Sequence, residues 1–189
     1  TELEKYHEGL IVCSACIGGE VPKKLLSGRM EEAEEAVQWY KNIFGDDYYL
    51  ELQLHKATAP RANYETYELQ LQVNEKLKEF SKKYGIKLIC SNDVHFVEEE
   101  NAEAHDRLIC LSTGKDLDDP KRMLYSKQEW FKTREEMNAL FADVPEALSN
   151  TCDICDQVEF YSIDHPPIMP NFAIPEEFGT EEGYRQTLT

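Results

Sequence analysis

The string LICSNDVHF carries an aspartate and a histidine two residues apart, directly after a short apolar run. Residues two apart on an extended segment lie on the same side, so the Asp93 carboxylate and the His95 imidazole can approach one cation. Loops that follow parallel strands are also where α/β folds place their functional sites. The spacing therefore indicates a metal site. The alternative is that Asp93 caps a turn and His95 is a packed surface histidine.

The cysteines include two pairs with the CxxC spacing, Cys13 with Cys16 and Cys152 with Cys155. Four such thiols are typical of a structural zinc site, which is one interpretation of the pattern. We favour reduced thiols without zinc, because the side chains of the first pair point in different directions along a strand. The second pair lies in a stretch of helical character, where we expect both cysteines to be buried as small apolar residues.

Apolar periodicity predicts three strands joined by helices. The strands are GLIVCSAC, YYLELQL and IKLIC, and the helices between them cover residues 29–44 and 63–84, the second capped by Asn63. Strands and helices that alternate at these spacings imply parallel strands with crossover helices, so we predict an α/β fold. Further helices are predicted at residues 102–111, 134–141 and 146–157.

A proline-rich stretch follows the last predicted helix. Its prolines are incompatible with regular helix, which predicts an extended connector, and residues 181–189 then resemble the start of another helix. We therefore divide the chain into an α/β part (1–98), a helical part (99–160) and a proline-rich connector (161–189).

The composition is acidic, with 37 Asp and Glu residues against 20 Lys and Arg and a formal charge of −17. Such a chain repels a phosphate backbone, because non-specific DNA affinity comes largely from Lys and Arg that displace counterions. A metal-dependent site for phosphate groups remains compatible with an acidic protein, since bound cations supply local positive charge. No apolar run is long enough for a membrane span, and the first residues lack the order of a signal peptide, so we expect a cytoplasmic location.

Five runs of the sequence follow one another as they do in the PHP (polymerase and histidinol phosphatase) region of bacterial DNA polymerase III alpha subunits, which the chain resembles. They are HEGLIVCSACIGGEV, FGDDYYLELQLH, LICSNDVHF, AHDRLICLSTGKDLDDPKR and LFADVPEALSNT. Agreement in order over nearly the whole chain is far more specific than any single motif.

The resemblance implies that residues 1–98 are the later part of a distorted (β/α)7 barrel, followed by the helical end of the PHP region (99–160) and a connector toward the polymerase palm (161–189). It also implies divalent metal ions, with zinc, manganese and iron as candidates. Three residues match late ligand motifs of the family, and these are Cys16, in SAC where the family often has SGC, Asp93 and His95. The HxH motif that opens a PHP domain has no counterpart, so we expect an internal segment with a partial site. We leave open whether this segment alone binds metal.

The same resemblance implies that the longer protein is a DNA-directed DNA polymerase, with DNA and other replisome subunits as partners. Its PHP region would be a metal-binding scaffold, or a 3′–5′ exonuclease where the full metal set is present. We expect the isolated segment to be inactive. The alternative is a stand-alone PHP phosphatase that acts on a small phosphate ester.

Other polar residues are expected to play supporting roles. Glu51 and His55 would hold neighbouring groups at a strand end rather than bind metal, and the KDLDDPKR segment would be a solvated loop. The remaining histidines are expected at surface, supporting or connector positions: His7, His105 and His165.

Overall fold

Three parallel strands form the centre of the structure, a computed structural model that describes residues 1–170, 173–180, 182, 184 and 185. The middle strand pairs with both of the others, in parallel, which confirms the predicted α/β fold. The first strand is shorter than predicted. In sheet order the strands are β1 (Val12–Cys13), β2 (Tyr48–Leu52) and β3 (Leu88–Cys90).

The predicted helices are present, with ends that differ from the predicted ends by two residues at most. Two short helices near the start of the chain, α1 and α2, were not predicted. Asn63 caps α4 as expected, because its side-chain oxygen accepts the backbone N–H groups of Glu65 (3.0 Å) and Thr66 (3.1 Å). The helices are α1 (Glu2–Lys5), α2 (Glu20–Leu26), α3 (Met30–Phe44), α4 (Glu65–Tyr84), α5 (Ala102–Thr113), α6 (Arg134–Leu140) and α7 (Pro145–Gln157).

The buried face of α4 is largely polar in the earlier turns of the helix and apolar in the later turns. Its later turns bury Leu77 and Phe80 in the hydrophobic core, while its earlier turns bury Gln70 and Asn74. Asn74 Nδ2 donates to the backbone oxygen of Gln53, just past the end of β2, at 2.9 Å. Buried amides need partners, so this polar half of the stripe marks the part of α4 that faces polar groups instead of the core.

Residues 126–131, which we call the clasp segment, lie against the loop that follows β3. The side-chain amide of Asn92 donates to two carbonyl oxygens of the clasp segment, at 2.8 and 2.7 Å. The backbone N–H of His95 donates to the carbonyl of Glu129 at 2.7 Å. The clasp segment therefore fixes the path of the loop that carries the predicted aspartate and histidine.

The expectation of a solvated loop in KDLDDPKR was wrong for its last residue. Arg122 is buried and forms a bidentate ion pair with Asp106 of α5, which is also buried. The planar guanidinium matches a carboxylate with two parallel hydrogen bonds, so the pair anchors this loop to the helix.

Residues 1–158 form one compact unit and residues 159–189 a second. The second unit has no helix or strand over residues 159–170 and a short 3-10 helix at Glu176–Phe178. The predicted helix at residues 181–189 lies mostly outside the described residues. Neither the barrel nor the proposed division into three parts is tested by these features, and both stay predictions. In the described part of the chain, no helix is long and apolar enough to cross a membrane.

Candidate functional site

Polar residues follow the carboxyl end of each strand, and they are joined by hydrogen bonds across the sheet. Ser14, after β1, accepts the backbone N–H of Glu51 through its hydroxyl oxygen at 2.9 Å. The Glu51 carboxylate in turn accepts the hydroxyl of Ser91, after β3. Gln53 Nε2 donates to both Ser91 (2.9 Å) and Glu51 (3.2 Å). Parallel strands end on one side of a sheet, which is why these groups meet.

A cavity of about 280 Å³ lies at this end of the sheet. Cys16 and Asp93 both line it, so the structure brings together two of the three predicted ligands, from loops far apart in the sequence. Its walls come from the loops after the strands, from the first turns of α4 and from the clasp segment. The other lining residues are Ile17, Gly18, Gln53, His55, Asn63, Thr66, Gln70, Met123, Leu124, Tyr125, Ser126 and Glu129.

His95 lies beside this cavity and is not one of its lining residues. Its exposed ring packs on Tyr125, with ring centroids 4.6 Å apart, and on His105, at 5.6 Å. His95 Nδ1 is 2.6 Å from the carbonyl oxygen of Asp93, which can only accept, so in a neutral ring Nδ1 carries the proton and Nε2 has the lone pair. This is the tautomer that a histidine ligand binding through Nε2 would need.

The loops that carry Cys16 and Asp93 both adopt uncommon backbone conformations. Ala15 has φ +63° and Asp93 has φ +43°, in the left-handed region that non-glycine residues seldom occupy. The backbone is therefore not extended at Asp93, so the expectation of an extended segment carrying Asp93 and His95 was wrong. A Cβ on Gly19 would lie 2.4 Å from the carbonyl oxygen of Ser14, so only glycine fits there.

His55 is a buried residue of the cavity lining, and both of its ring nitrogens form hydrogen bonds. Gln70 Oε1 accepts the backbone N–H of His55 (2.6 Å), which turns Gln70 Nε2 toward His55 Nδ1 as a donor (3.0 Å). His55 Nε2 then donates to the carbonyl of Asn92 at 3.1 Å. Burial, the main cause, lowers the pKa of His55. The ring is neutral and supports the loop after β3.

Glu129 is a buried carboxylate that also lines the cavity. Its Oε1 accepts the hydroxyl (2.6 Å) and the backbone N–H (3.0 Å) of Ser126. Its Oε2 is buried and has no hydrogen-bond partner in the structure. Gln53 also lines the cavity, and its Oε1 is likewise buried without a hydrogen-bond partner in the structure.

Negative charge is concentrated around the cavity. Burial raises the pKa of Tyr125, and the nearby Asp93, Glu129 and Cys16 raise it further. A phenol becomes harder to ionise in a buried position and near carboxylates, and Asp93 and Glu129 both lie near Tyr125. Burial also lowers the pKa of His105, and the neighbouring His95 adds to that effect.

The described residues do not form a complete metal cage. Among them, no group of three or more His, Cys, Asp or Glu side chains is arranged to hold a metal ion. The four cysteines of the two CxxC pairs are free of disulfides and are not gathered into such a group. Cys152 and Cys155 are exposed on α7, so the expectation that they are buried was wrong.

Sequence reasoning missed the clasp segment and its Glu129. The segment has no apolar periodicity, and a single Glu in SKQEWF gives no spacing signal. The polar residues Gln70 and Asn74 were a usable signal, because they interrupt the apolar stripe of α4, and Gln70 lines the cavity.

Comparison with known proteins identifies the family context. Residues 1–55 match the PHP domain family. The DNA polymerase III subunit alpha of Borreliella burgdorferi is 42% identical over 190 residues, covering 100% of this chain and 16% of that protein. The subunits with the same name from Campylobacter jejuni (37% identical, 95% of this chain, 15% of that protein) and Treponema pallidum (35%, 98%, 15%) are also similar. This chain therefore spans about one sixth of the length of these relatives.

The predicted relationship is thereby confirmed, and it covers the cavity, the clasp segment and α7 as well as the stretch that matches the PHP domain. The chain carries PHP-domain sequence at residues 1–55 and is homologous, over its whole length, to a segment of bacterial DNA polymerase III alpha subunits.

Proposed function

We propose that this chain is part of the PHP region of a replicative DNA polymerase III alpha subunit, a DNA-directed DNA polymerase that acts in the cytoplasm. The observation that carries the proposal is the extent of the similarity, which continues from the PHP match at residues 1–55 through the rest of the chain. A stand-alone PHP phosphatase is disfavoured, because it would share the PHP sequence without the remaining polymerase-like runs.

The sheet is suited to continuation by further strands. Among the described residues, β1 and β3 each pair on one side only, with β2. Unpaired strand edges leave backbone groups in need of partners. In the longer protein, strands from elsewhere in the PHP region would extend this sheet toward the distorted (β/α)7 barrel that the resemblance implies.

The metal site belongs to the same proposal. Cys16, Asp93 and His95 would each contribute one ligand, together with donors outside this chain. A thiolate favours zinc, while carboxylate and imidazole ligands also suit manganese or iron. The convergence of Cys16 and Asp93 on one cavity, and the free Nε2 of His95 beside it, support this assignment. The implied activity is 3′–5′ hydrolysis of phosphodiesters.

Nucleotidyl transfer would be carried out by other parts of the polymerase, which would also provide the contacts to DNA and to other replisome subunits. This chain would serve as an accessory scaffold. Its charge of −17 is consistent with a segment that does not grip the phosphate backbone itself.

The test compares Asp93→Ala with the wild type in the complete polymerase. We expect Asp93→Ala to lower the bound metal, measured by mass spectrometry, and to reduce removal of a mismatched primer 3′ end. Primer extension should continue, because the polymerase chemistry lies elsewhere.

Cys152→Ser is the matched control, since Cys152 is an exposed thiol on α7 that does not line the cavity. It should leave the metal content unchanged. Equal metal loss in both variants would contradict the assignment and favour a cysteine-based zinc site instead.

A further inference from the structure

Lys132 lies directly after the clasp segment and lines a second cavity, of about 800 Å³, between β3, α6 and α7. Its Nζ donates to the backbone oxygen of Gln128 and lies 4.2 Å from the centroid of the Trp130 ring. Lys132 forms no ion pair with any residue that the structure describes. The amine is therefore held by a carbonyl oxygen and an aromatic face, without a carboxylate in direct contact.

This position makes the amine easier to deprotonate than that of an ordinary lysine. Burial, the main cause, lowers the pKa of Lys132 to about 8. Three carboxylates act on the pKa in the opposite direction without restoring it, and they belong to Glu129, Glu136 and Glu99. At pH 8 the neutral fraction of such an amine is on the order of a hundredfold larger than that of an ordinary lysine. Neutral amines are nucleophiles, and desolvated pockets activate lysines in this way.

The same cavity offers a place for an anion. Arg134 lines it, and its guanidinium forms no ion pair or hydrogen bond with a described residue. A guanidinium matches a phosphate group through parallel hydrogen bonds. Met137 and Leu148 add apolar surface to the walls. The cavity therefore suits a small molecule that carries both a phosphate and an apolar group.

Other titratable groups near the amine do not compete with this assignment of charge. The thiol of Cys90 stays protonated, because burial raises its pKa to about 12. The ring of His55, which acts on Lys132 electrostatically, is neutral. Cys152 also lines the cavity. Arg134 is therefore the group of this cavity that can neutralise a phosphate while the Lys132 amine is uncharged.

We propose that Lys132 is a covalent modification site, acylated on Nζ by small acyl phosphates whose phosphate is bound by Arg134. The Nζ lone pair attacks the acyl carbon, an amide bond forms, and the bond between the acyl carbon and the phosphate oxygen breaks. Inorganic phosphate leaves with the bonding electrons and takes up the proton that the amine loses. The step needs no oxidant or reductant. It does not depend on the metal site or on the polymerase assignment.

Acylation would change the contact between Lys132 and the clasp segment. An amide carries no positive charge, so the attraction between the cation and the face of Trp130 would be lost. Because Trp130 belongs to the clasp segment, which fixes the loop after β3, the modification would act on the segment that holds this loop.

The first test uses the wild-type 189-residue chain and acetyl phosphate at pH 8, with peptide mass spectrometry to follow acetylation of each lysine. Three exposed lysines without ion pairs to described residues are the internal references, and these are Lys23, Lys82 and Lys121. We expect Lys132 to react about tenfold faster, because its larger neutral fraction outweighs the weaker nucleophilicity of a less basic amine. The rate at Lys132 should level off near pH 9. Equal rates at all four lysines would overturn the proposal.

The second test concerns phosphate recognition. Arg134→Gln should slow acetylation of Lys132 by acetyl phosphate several-fold and leave its acetylation by the uncharged reagent N-acetoxysuccinimide unchanged. Arg107→Gln, on an exposed residue of α5 that does not line this cavity, is the matched control and should change neither rate. If Arg134→Gln slows both reagents equally, or neither of them, Arg134 does not bind the phosphate and the proposed site is wrong.

Discussion

At the scale of single residues, His55 has a supporting role: it positions a loop of the site by hydrogen bonds and is not a proposed metal ligand. Its ring is held in one tautomer by Gln70 on one side and by the carbonyl of Asn92 on the other. Because Asn92 also donates to the clasp segment, His55 helps to hold the loop that carries Asp93.

The neutral state of His55 predicts a pH dependence of stability. Its pKa is lower in the folded protein than in the unfolded chain, so the folded state gains stability that is present above the unfolded pKa of roughly 6.5. That stability is lost as the pH falls below this value, because the unfolded state then binds the proton first. Urea denaturation between pH 7.5 and pH 5 should show the loss, and His55→Gln should flatten the profile over this range. An identical profile in both proteins would contradict the assignment.

The residue-level features of the cavity were only partly predictable. The DVH spacing and the family-like SAC run are local signals, which is why Asp93, His95 and Cys16 could be named from the sequence. Glu129 lies at the cavity because two irregular segments that are far apart in the sequence contact each other. Hydrophobic periodicity does not predict such a contact. The left-handed φ of Asp93 suits its residue type, because Asp adopts this region more often than most residues, but the type alone does not require it.

At the scale of elements, α3 to α7 were predictable because each has an amphipathic stripe, a cap or a terminal glycine. Gly85 and Gly114, for example, end α4 and α5 in the left-handed conformation. The clasp segment was not predictable, since it is held by the side-chain amide of Asn92, by backbone hydrogen bonds and by a bridge between Phe96 and Trp130.

The clasp segment should separate from the loop after β3 when Asn92 loses its amide. Asn92→Asp replaces two donors with an acceptor facing two carbonyl oxygens, so we expect a loss of about 2 kcal/mol or more in the free energy of unfolding. Hydrogen exchange should speed up at the backbone amides of His95 and Phe131, which donate across this contact. Asn138→Asp, on an exposed residue of α6, is the matched control and should change neither quantity. Unchanged exchange at both amides would show that the backbone bonds hold the contact without Asn92.

At the scale of the whole molecule, the basic residues are mostly committed to carboxylates of the same chain. Lys78 pairs with both Glu75 and Asp143, Lys83 with Glu34, and Arg122 with Asp106. With 37 acidic residues against 20 basic ones, few cations remain to release counterions from DNA. A divalent ion at the proposed metal site would change the charge of −17 by only two units.

The 189-residue chain should therefore bind DNA weakly and without the usual salt dependence. Fluorescence anisotropy with a labelled primer–template at low salt should give no saturable binding at micromolar protein, because each phosphate contact needs a cation that the acidic surface opposes. Adding Mn²⁺ should leave this result unchanged for the duplex, since one buried ion cannot offset the surface charge. Lysozyme, a small basic protein, is a suitable positive control for non-specific binding. Micromolar affinity that falls steeply with added salt would mean that a local basic patch outweighs the net charge, and that this segment contacts DNA directly in the longer protein.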